Sequence, residues 1–505
     1  MVQEVTGSNP VPSLFAYEGH SMEEESAKQT LPFVQPRVLK GFQDTLPEDA
    51  IVLNDVVGKV CKVLERFGFL PIDTPALEYL TVLLGTAGEE TTKQIFRLKS
   101  PEHEDIALRF DLTVPFARFM AGHLEELKLP FRRYHVAPVW RADKPGTGRF
   151  REFTQLDFDA AGSPDMAVDA EVIRLVCDVM TEINVPEYQV LVNHRKIMDA
   201  LLQASGIASD DERKHVLRVI DKLVKVGIDE VRKELGEGRV DESGDRIKGV
   251  GLDTRTIDFI VGFLNISANT RQEVLEGIQQ VLPATAASKE ATEQAKSLLN
   301  GLESLGVPED PVSFAPSLAR GLDYYTGPIF EVVLPGASQF GSVVAGGRYD
   351  GLVKRFLGID IPATGGSIGI SRFLSALKAI GAFASVKSLT QVLVTVMQPK
   401  YMSHYLSLST ELRAAGINTE VYFGGAGDTL SAQLAMANRR QIPIAVIMGE
   451  DEIGAGSVAV KDLRAGRRLR KDVSSREEYV AAGKAGQTTV SRDECVGKIR
   501  EMLGT

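Results

Sequence analysis

Residues 139–153 read VWRADKPGTGRFREF, a basic loop between two β-patterned segments. The flanking segments Tyr134–Arg141 and Phe153–Ala160 predict two strands of an antiparallel sheet, joined by this loop. Arginine has a planar, permanently charged guanidinium that pairs with phosphate oxygens through two hydrogen bonds at once. Arg141, Arg149 and Arg151 could therefore surround a polyphosphate, although a solvated charged hairpin would contain the same residues.

The strand after the loop separates its side chains onto two faces, because successive residues of a strand point in opposite directions. One face carries Leu156, Phe158 and Ala160, and the other carries Gln155, Asp157 and Asp159. A half-exposed sheet produces the same alternation. Inside a cleft, however, the polar row could hold an amine and an imidazole of a ligand.

Residues 109–113 read RFDLT and show the same alternation of polar and apolar residues. A strand here would put Arg109, Asp111 and Thr113 on one face and apolar residues on the other. The Asp111 carboxylate could then pair with an ammonium group. A salt bridge at the end of a strand is the structural alternative.

Two glycine-containing segments lie further along the chain. Residues 318–327, LARGLDYYTG, combine Arg320 with Tyr324 and Tyr325, although these tyrosines could equally be core residues with hydrogen-bonded hydroxyls. Residues 346–350, GGRYD, and 365–373, GGSIGISRF, bring glycines ahead of a helix that carries Arg372. Glycine at such positions lets a flat ring lie against the backbone.

The composition is that of a folded chain with several domains. Its 505 residues exceed what one hydrophobic core organises, which predicts two or three domains. The net charge of -11 excludes a surface that attracts polyanions throughout, so any contact with nucleic acid must use local patches. The three cysteines are far apart and form no CxxC pair, which excludes a disulfide framework and a zinc site of the usual spacing.

The sequence also predicts the location of the protein. No apolar run reaches the roughly 18 residues of a membrane span, and the N-terminus lacks a secretory signal. Acidic residues precede the first arginine, Arg37, whereas a mitochondrial transit peptide is rich in arginine and poor in acid. We expect a cytoplasmic protein without a membrane association and without a metal site built from its own residues.

The pattern along the chain predicts three regions. Residues 1–35 mix Gly, Ser, Pro and acidic residues and predict a flexible extension. Residues 36–388 contain an amphipathic helix at Val52–Phe67, short strands and a helical insertion at about 210–306. Residues 389–505 predict a separate α/β domain. Its predicted strands are Val392–Val396, Thr419–Phe423, Ile442–Ile447 and Ser457–Val460.

In their order and spacing, these segments resemble the catalytic domain of class II aminoacyl-tRNA synthetases. Within that class, LARGLDYYT at Leu318–Thr326 and GGRYD at Gly346–Asp350 resemble segments peculiar to the histidyl-tRNA synthetases. The resemblance runs from about Pro36 to the final helix. It implies an α+β fold: an antiparallel-sheet catalytic domain with a helical insertion, followed by an α/β anticodon-binding domain.

The resemblance further implies an enzyme that activates histidine with ATP and Mg²⁺ and transfers it to tRNA(His). Arg141 matches the arginine that binds the ATP α-phosphate, Arg372 matches the one that binds the γ-phosphate, and Arg149 matches a further phosphate contact. A homodimer is also implied, because Val52–Phe67 and Pro75 match the motif of the dimer interface.

The expected histidine contacts follow from the same resemblance. They are Asp111, Thr113, Gln155, Asp159, Arg320, Tyr324, Tyr325 and Tyr349. Arg320 is expected to bridge the histidine carboxylate and the α-phosphate, and therefore to be catalytic together with Arg141 and Arg372. Asp111 and Asp159 replace glutamates of bacterial members, which resembles the eukaryotic enzymes.

Two other functions fit parts of this pattern. A non-catalytic paralogue, such as the regulatory subunit of ATP phosphoribosyltransferase, resembles the same fold, but it loses motif arginines and the C-terminal domain. Arg141, Arg320 and Arg372 are present here, and the chain continues past Leu389. A synthetase for another amino acid is disfavoured by the LARGLDYYT segment.

Overall fold

The structure, a computed structural model, describes residues 34–84, 92–240, 244–319, 325–383, 386–425, 427–465 and 486–504. The strands are β1 Leu70–Pro71, β2 Leu77–Tyr79, β3 Arg97–Lys99, β4 Asp105–Leu108, β5 Phe131–Trp140, β6 Glu152–Ala161, β7 Gln189–His194, β8 Gly238–Val240, β9 Arg246–Lys248, β10 Val312–Phe314, β11 Pro328–Val333, β12 Val344–Tyr349, β13 Ala363–Gly369, β14 Val392–Val394, β15 Thr419–Val421, β16 Ile444–Ile447, β17 Ser457–Asp462 and β18 Gln487–Ser491. The helices are α1 Pro47–Arg66, α2 Leu80–Leu84, α3 Thr113–Leu127, α4 Met166–Glu182, α5 Arg195–Ala204, α6 Asp210–Asp221, α7 Leu223–Val226, α8 Ile228–Leu235, α9 Thr254–Leu264, α10 Arg271–Val281, α11 Ala286–Ser304, α12 Lys354–Leu357, α13 Ile370–Ala379, α14 Met402–Ala414, α15 Leu430–Arg439, α16 Glu450–Gly454 and α17 Cys495–Leu503.

The chain divides into two compact units, residues 1–39 and Lys40–Thr505. In the first unit only residues 34–39 are described, and they contain no helix or strand. The predicted extension, residues 1–35, therefore lies outside the described residues except for its last two. Within the described part of the chain, no helix combines the length and the apolar character needed to cross a membrane.

An eight-stranded sheet forms the centre of the larger unit, in the order β1-β5-β6-β13-β12-β11-β7-β10. All pairs among the six inner strands are antiparallel, while β1 and β10 at the edges pair in parallel with β5 and β7. This confirms the antiparallel sheet expected from the sequence. The hairpin β5–β6 pairs all ten residues of each strand, from Phe131↔Ala161 to Trp140↔Glu152, and carries the basic loop at its end.

Helices cover one face of this sheet and bury the apolar side of its strands. The predicted helix is confirmed as α1, which begins earlier than expected because Pro47 occupies its first position. Its buried residues pack in one core with Leu156 and Phe158 of β6 and with residues of α4, α11 and α13. Helix α11 lies close to α4 because Gly301 has no side chain: a Cβ there would lie 2.8 Å from Cβ of Ala170.

The region predicted as a helical insertion contains α6 to α11, and also a two-stranded hairpin of β8 and β9. The hairpin was not predicted because its strands are three residues long and carry Arg239, Arg246 and Lys248. Helix α6 buries Val216, Val219 and Ile220 along one face, as the apolar pattern predicts. The same pattern continues to Leu223 and Val224, but α6 ends at Asp221 and Val224 is 85% exposed.

A second sheet follows, in the order β15-β14-β16-β17-β18. Its first four strands in the chain confirm the four that the sequence predicts, although most are shorter than expected. Strand β18 was missed because Gln487–Ser491 is almost entirely polar and exposed. This sheet has its own core, to which Val392, Leu408 and Ile444 belong.

Candidate active site

A cavity of about 340 Å³ opens between strands β6, β12 and β13 and the basic loop of the β5–β6 hairpin. The fold brings to it residues that are up to 261 positions apart in the sequence, from Asp111 to Arg372. The predicted site residues that line it are Asp111, Thr113, Arg141, Arg149, Gln155, Tyr325 and Arg372. One cavity therefore combines the carboxylate, the polar row and the arginines that the sequence singled out.

Asp111 lies in the turn between β4 and α3. The strand predicted for the RFDLT segment is wrong, because β4 ends before this segment and α3 begins at its last residue. Asp111 Oδ1 accepts a hydrogen bond from the N–H of Val114 at 3.2 Å, which stabilises the first turn of α3. Arg109 does not share its face: it is buried and donates to the backbone oxygen of Thr74.

The electrostatic surroundings of Asp111 favour its neutral form when the cavity holds no ligand. Burial raises its pKa to about 7; the positive charge of Arg141 opposes this rise, and the negative charge of Asp157 adds to it. Asp111 is thus close to half ionised at neutral pH. A cation bound beside it would favour the carboxylate, so this residue suits a ligand that carries an ammonium group.

Asp157 links the polar residues on this side of the cavity. Its Oδ1 accepts from Gln155 Nε2 at 2.8 Å, and its Oδ2 accepts from Thr113 Oγ1 at 3.3 Å. Arg141 Nη2 donates to the Oε1 atom of the same Gln155 amide at 3.4 Å. The predicted polar face of β6 is therefore confirmed, but its side chains are buried and hydrogen-bonded rather than solvated.

Arg141 stands at the junction of β5 and the basic loop. Its Nε donates to the backbone oxygen of Phe110 at 2.8 Å, and its guanidinium lies over the ring of Phe153 at 5.2 Å from the ring centroid. These contacts, together with the bond to Gln155, fix the planar group in the cavity wall. A preorganised guanidinium of this kind is suited to an anion.

Two further arginines line the cavity near the tip of the loop. Gly148 has φ +63, and Cγ of Arg372 lies 3.6 Å from where a Cβ of this glycine would be, so Arg372 and the loop tip are neighbours. Arg149 pairs through Nε with Asp143 Oδ2 at 3.1 Å and is more than half exposed. Arg372, in the first turn of α13, donates from Nη1 to the backbone oxygen of Ser342 at 3.2 Å.

Asp159 and Tyr349 are buried, and neither is among the described residues that line the cavity. Tyr349 donates its hydroxyl hydrogen to Asp159 Oδ1, and Nη2 of the fully buried Arg133 lies 2.5 Å from Asp159 Oδ2. The Arg133 guanidinium also lies over the ring of Phe116, 4.3 Å from its centroid. Burial raises the pKa of Asp159 to about 6, against the effect of Arg133.

The glycines of β12 and β13 make room for the protein's own groups. A Cβ on Gly346, which lines the cavity, would lie 2.2 Å from the Gly365 oxygen and 2.4 Å from the ring of Phe330. A Cβ on Gly365 would lie 2.3 Å from the Asp159 carboxylate. Only glycine fits at either position. That a flat ligand ring lies against these glycines stays a prediction.

Two predicted residues, Arg320 and Tyr324, lie outside the described residues. Conversely, Arg133 and Asp157 were not predicted as site residues, although both bind groups of the site. Arg133 was missed because the predicted strand began at Tyr134. Extending the β5–β6 pairing outward from the loop would have put Arg133 directly opposite Asp159.

Comparison with known proteins identifies the family. The sequence model described as histidyl-tRNA synthetase matches residues 41–373, well over half of the chain. The chain belongs to the histidyl-tRNA synthetase family. A second sequence model, described as an anticodon binding domain, matches residues 391–502, the region of the second sheet.

Individual relatives support this family assignment. The histidine–tRNA ligase of Caulobacter vibrioides is 38% identical over 483 residues, which cover 93% of this chain and 97% of that protein. The crystal structure of histidyl-tRNA synthetase from Nostoc sp. PCC 7120 has a TM-score of 0.77 at 29% identity and covers 93% of this chain and 99% of its own. These two relatives are bacterial, and the likeness to eukaryotic members stays a prediction based on Asp111 and Asp159.

A more distant structure shares the fold alone. It is described as an ATP phosphoribosyltransferase regulatory subunit/histidyl-tRNA synthetase from Bacillus halodurans, with a TM-score of 0.64 at 23% identity. It covers 80% of this chain and 97% of its own.

Proposed function

We propose that the protein is a histidine–tRNA ligase that works in two steps. The histidine carboxylate attacks the α-phosphorus of ATP, which forms histidyl-adenylate and releases pyrophosphate. The terminal ribose hydroxyl of tRNA(His) then attacks the acyl carbon and releases AMP. The observation that carries this proposal is the cavity itself, which combines a carboxylate with a raised pKa and three arginines.

The histidine end of the cavity contains Asp111, Thr113, Gln155 and Tyr325. Asp111 pairs with the substrate ammonium group, and Gln155 is oriented for a polar contact by its bonds to Asp157 and Arg141. Tyr325, together with Tyr324, contacts the imidazole.

Asp159 and Tyr349 act from behind the cavity wall. Each is nearly fully buried, and the two are hydrogen-bonded to each other. Their part in histidine recognition is to support the side chains that face the ligand. Arg133 belongs to the same group, because its ion pair with Asp159 supplies the charge that this buried carboxylate needs.

The phosphate end contains Arg141, Arg149 and Arg372. Arg141 binds the α-phosphate, and Arg149 and Arg372 bind the distal phosphates. Arg320 bridges the histidine carboxylate and the α-phosphate. The protein performs little covalent chemistry, so positioning and neutralisation of developing charge supply most of the acceleration.

Mg²⁺ accompanies ATP in this proposal. Among the described residues, no three His, Cys, Asp or Glu side chains come together as metal ligands. Mg²⁺ at an ATP site is usually held mainly by substrate phosphates, with one or two carboxylates from the protein. Asp143 lines the cavity, and its Oδ1 has no hydrogen-bond partner among the described residues, so this residue can contribute one ligand. Bound to the phosphates, the ion withdraws charge from them.

The remaining parts of the proposal concern the whole chain. Residues 36–388, with the insertion at about 210–306, form the catalytic domain, and residues 389–505 bind the anticodon.

The protein is a homodimer. In support, Leu70, Leu77, Tyr79 and Leu98 on the short strands β1 to β3 expose 43–58% of their surface. Its location is the cytoplasm, where its three free cysteines stay reduced.

Pyrophosphate exchange tests the function. The purified protein is incubated with ATP, labelled pyrophosphate and each of the twenty amino acids in turn. Exchange that depends on histidine alone is the expected result. Exchange with a different amino acid would refute the specificity, and no exchange with any amino acid would indicate a non-catalytic paralogue.

Sedimentation velocity of the same preparation tests the dimer, and Leu70→Asp is expected to favour the monomer.

A further inference from the structure

The basic loop between β5 and β6, residues 141–151, is closed by its own backbone. At its base the N–H of Arg141 donates to the oxygen of Arg151 at 2.9 Å. At its tip the N–H of Gly146 donates to the oxygen of Arg149 at 3.1 Å, and the N–H of Arg149 donates to the oxygen of Gly146 at 3.0 Å. These bonds give the loop its shape. Its direction relative to the cavity depends on contacts with the rest of the chain.

A glycine ahead of helix α1 supports the base of the loop. The backbone oxygen of Gly41 accepts from the N–H of Arg151 at 2.8 Å. Gly41 has φ +85, and a Cβ there would lie 2.8 Å from Arg151 Cγ and 3.0 Å from Pro145 Cγ. Any other residue at this position would strain the backbone and push against two residues of the loop.

A second support reaches the base of the loop from the other side. The N–H of Ala142 donates to the backbone oxygen of Gln94 at 2.8 Å. The two supports are also connected, because the ring of Phe42 meets the ring of Phe96 edge to face, with 6.1 Å between the centroids. The position of Gly41 is therefore tied to the residues just before strand β3.

Phe340 supports the tip of the loop. This residue ends a short 3₁₀ helix, Pro335–Phe340, and packs against the core of the large sheet. Gly148 has φ +63, and a Cβ there would lie 2.7 Å from Cδ1 and 3.1 Å from Cε1 of the Phe340 ring. The ring thus fills the space that a side chain at position 148 would need. Its neighbour in the loop, Arg149, lines the cavity.

We propose that Gly41 and Phe340 are positioning residues of the enzyme, which hold the base and the tip of the basic loop and so set the position of Arg149 at the phosphate end of the cavity. Among the described residues that line the cavity, neither is found, and both act through the loop. This inference rests on the proposed function, in which Arg149 binds the distal phosphates of ATP.

The proposal predicts which substrates are affected. The distal phosphates of ATP leave as pyrophosphate, so a displaced Arg149 weakens the binding of ATP and of pyrophosphate together. Histidine is bound by other residues, among them Asp111 and Thr113, which lie outside the loop. A general loss of stability would not separate the substrates in this way.

Gly41→Ala tests the base of the loop. The KM values for ATP and for pyrophosphate should each rise by about tenfold, the scale of one weakened hydrogen bond to a charged group. The KM for histidine should change by less than about twofold. Gly206→Ala is the matched control, because Gly206 has φ +77 and no atom of the described residues lies within 4 Å of where its Cβ would be. This control introduces the same backbone strain without the contact and should leave all three KM values unchanged.

Phe340→Ala tests the tip of the loop and should show the same separation of the substrates. Phe259→Ala is its control, since Phe259 is also a partly buried ring against the same core but lies in α9 of the helical insertion. This control should leave the three KM values unchanged. Melting temperatures are measured in parallel, and if Phe340→Ala does not fold, Gly41→Ala and its control decide alone.

Hydrogen exchange of peptides from the loop provides a test that needs no substrate. Both variants should exchange the amides of residues 141–151 faster than the wild type, while the two controls should not. Unchanged exchange in the loop, an unchanged ATP KM in the folded variants, or an equal rise in the histidine and ATP KM values would overturn the proposal. A wild-type protein without histidine-dependent pyrophosphate exchange would instead refute the proposed function.

Discussion

Histidine binding should strengthen as the pH rises through neutrality, because Asp111 must be ionised to pair with the substrate ammonium group. With a pKa of about 7, the ionised fraction of Asp111 rises about eightfold between pH 6.0 and pH 7.5. The KM for histidine should fall by the same factor from this residue alone. The direction follows from the desolvated carboxylate, which holds its proton until a cation or a higher pH removes it.

Two other groups titrate in this range and have to be separated from Asp111. The substrate imidazole has an ordinary pKa near 6.5, and Asp159 has a pKa raised to about 6. Asp111→Asn is the suitable reference, because its amide oxygen can still accept from the N–H of Val114. Both remaining titrations persist in this variant. The wild-type KM should therefore fall about eightfold more than that of the variant over the same pH range.

The assay is histidine-dependent pyrophosphate exchange at saturating ATP, measured at several pH values for both proteins. At pH 7.5 the variant should need at least about tenfold more histidine, since it loses a charge-assisted contact. Parallel pH profiles for the two proteins would refute the reasoning. So would a variant whose histidine KM equals that of the wild type at pH 7.5.

Thermal stability provides a second test of the raised pKa of Asp111. In the folded chain Asp111 has a pKa of about 7, whereas in the unfolded chain it returns to about 4. Between these values the folded state binds the proton that the unfolded state has released, so the contribution of Asp111 to stability falls as the pH rises through this window. Asp111→Asn should consequently melt at the same or a higher temperature at pH 7.5 while binding histidine less well.

Three further predictions follow from the site and the fold. Arg133→Met should lower the free energy of unfolding by about 3–5 kcal/mol, because it leaves the buried Asp159 carboxylate without a counterion, and Arg133→Met with Asp159→Asn should recover most of this loss in urea denaturation. Arg320→Ala should reduce pyrophosphate exchange by roughly a hundredfold or more, and single-turnover transfer from preformed histidyl-adenylate much less; intact exchange would contradict its catalytic role. A chain ending at Ser388 should retain exchange and lose tRNA charging, and full charging would contradict an anticodon-binding role for residues 389–505.

Periodicity predicted the elements that bury one apolar face. Helix α1 and strands β5 and β6 follow their apolar patterns, because each packs one side against the shared core. The polar row of β6 was correct for the same reason, since a strand that buries Leu156 on one face must direct Asp157 to the other. Here local sequence and tertiary packing require the same arrangement.

Sequence-based prediction is limited where the backbone conformation depends on a side-chain contact or on pairing with another strand. The RFDLT segment has strand-like alternation, yet the side chain of Asp111 accepts a helix N–H and turns the chain into α3. The ion pair between Asp159 and Arg133 joins two neighbouring strands, and no pattern within a single segment connects the two residues. Strand β18 offers only Val490 to the core of the second sheet and otherwise depends on its pairing with β17. Such features depend on register, which a single segment does not contain.

The glycines of β12 and β13 limit how this enzyme can be redesigned for another amino acid. A larger side chain at Gly346 or Gly365 would meet backbone atoms at 2.2 Å, and backbone in the middle of a sheet cannot move aside. The part of the cavity wall formed by Gly346 is therefore closed to substitution, whatever ligand is wanted. Variation has to come from the walls, where Thr113 and Tyr325 present side chains that can be exchanged without moving the sheet. A mutational library aimed at new amino-acid substrates should randomise these wall positions and leave the glycines untouched.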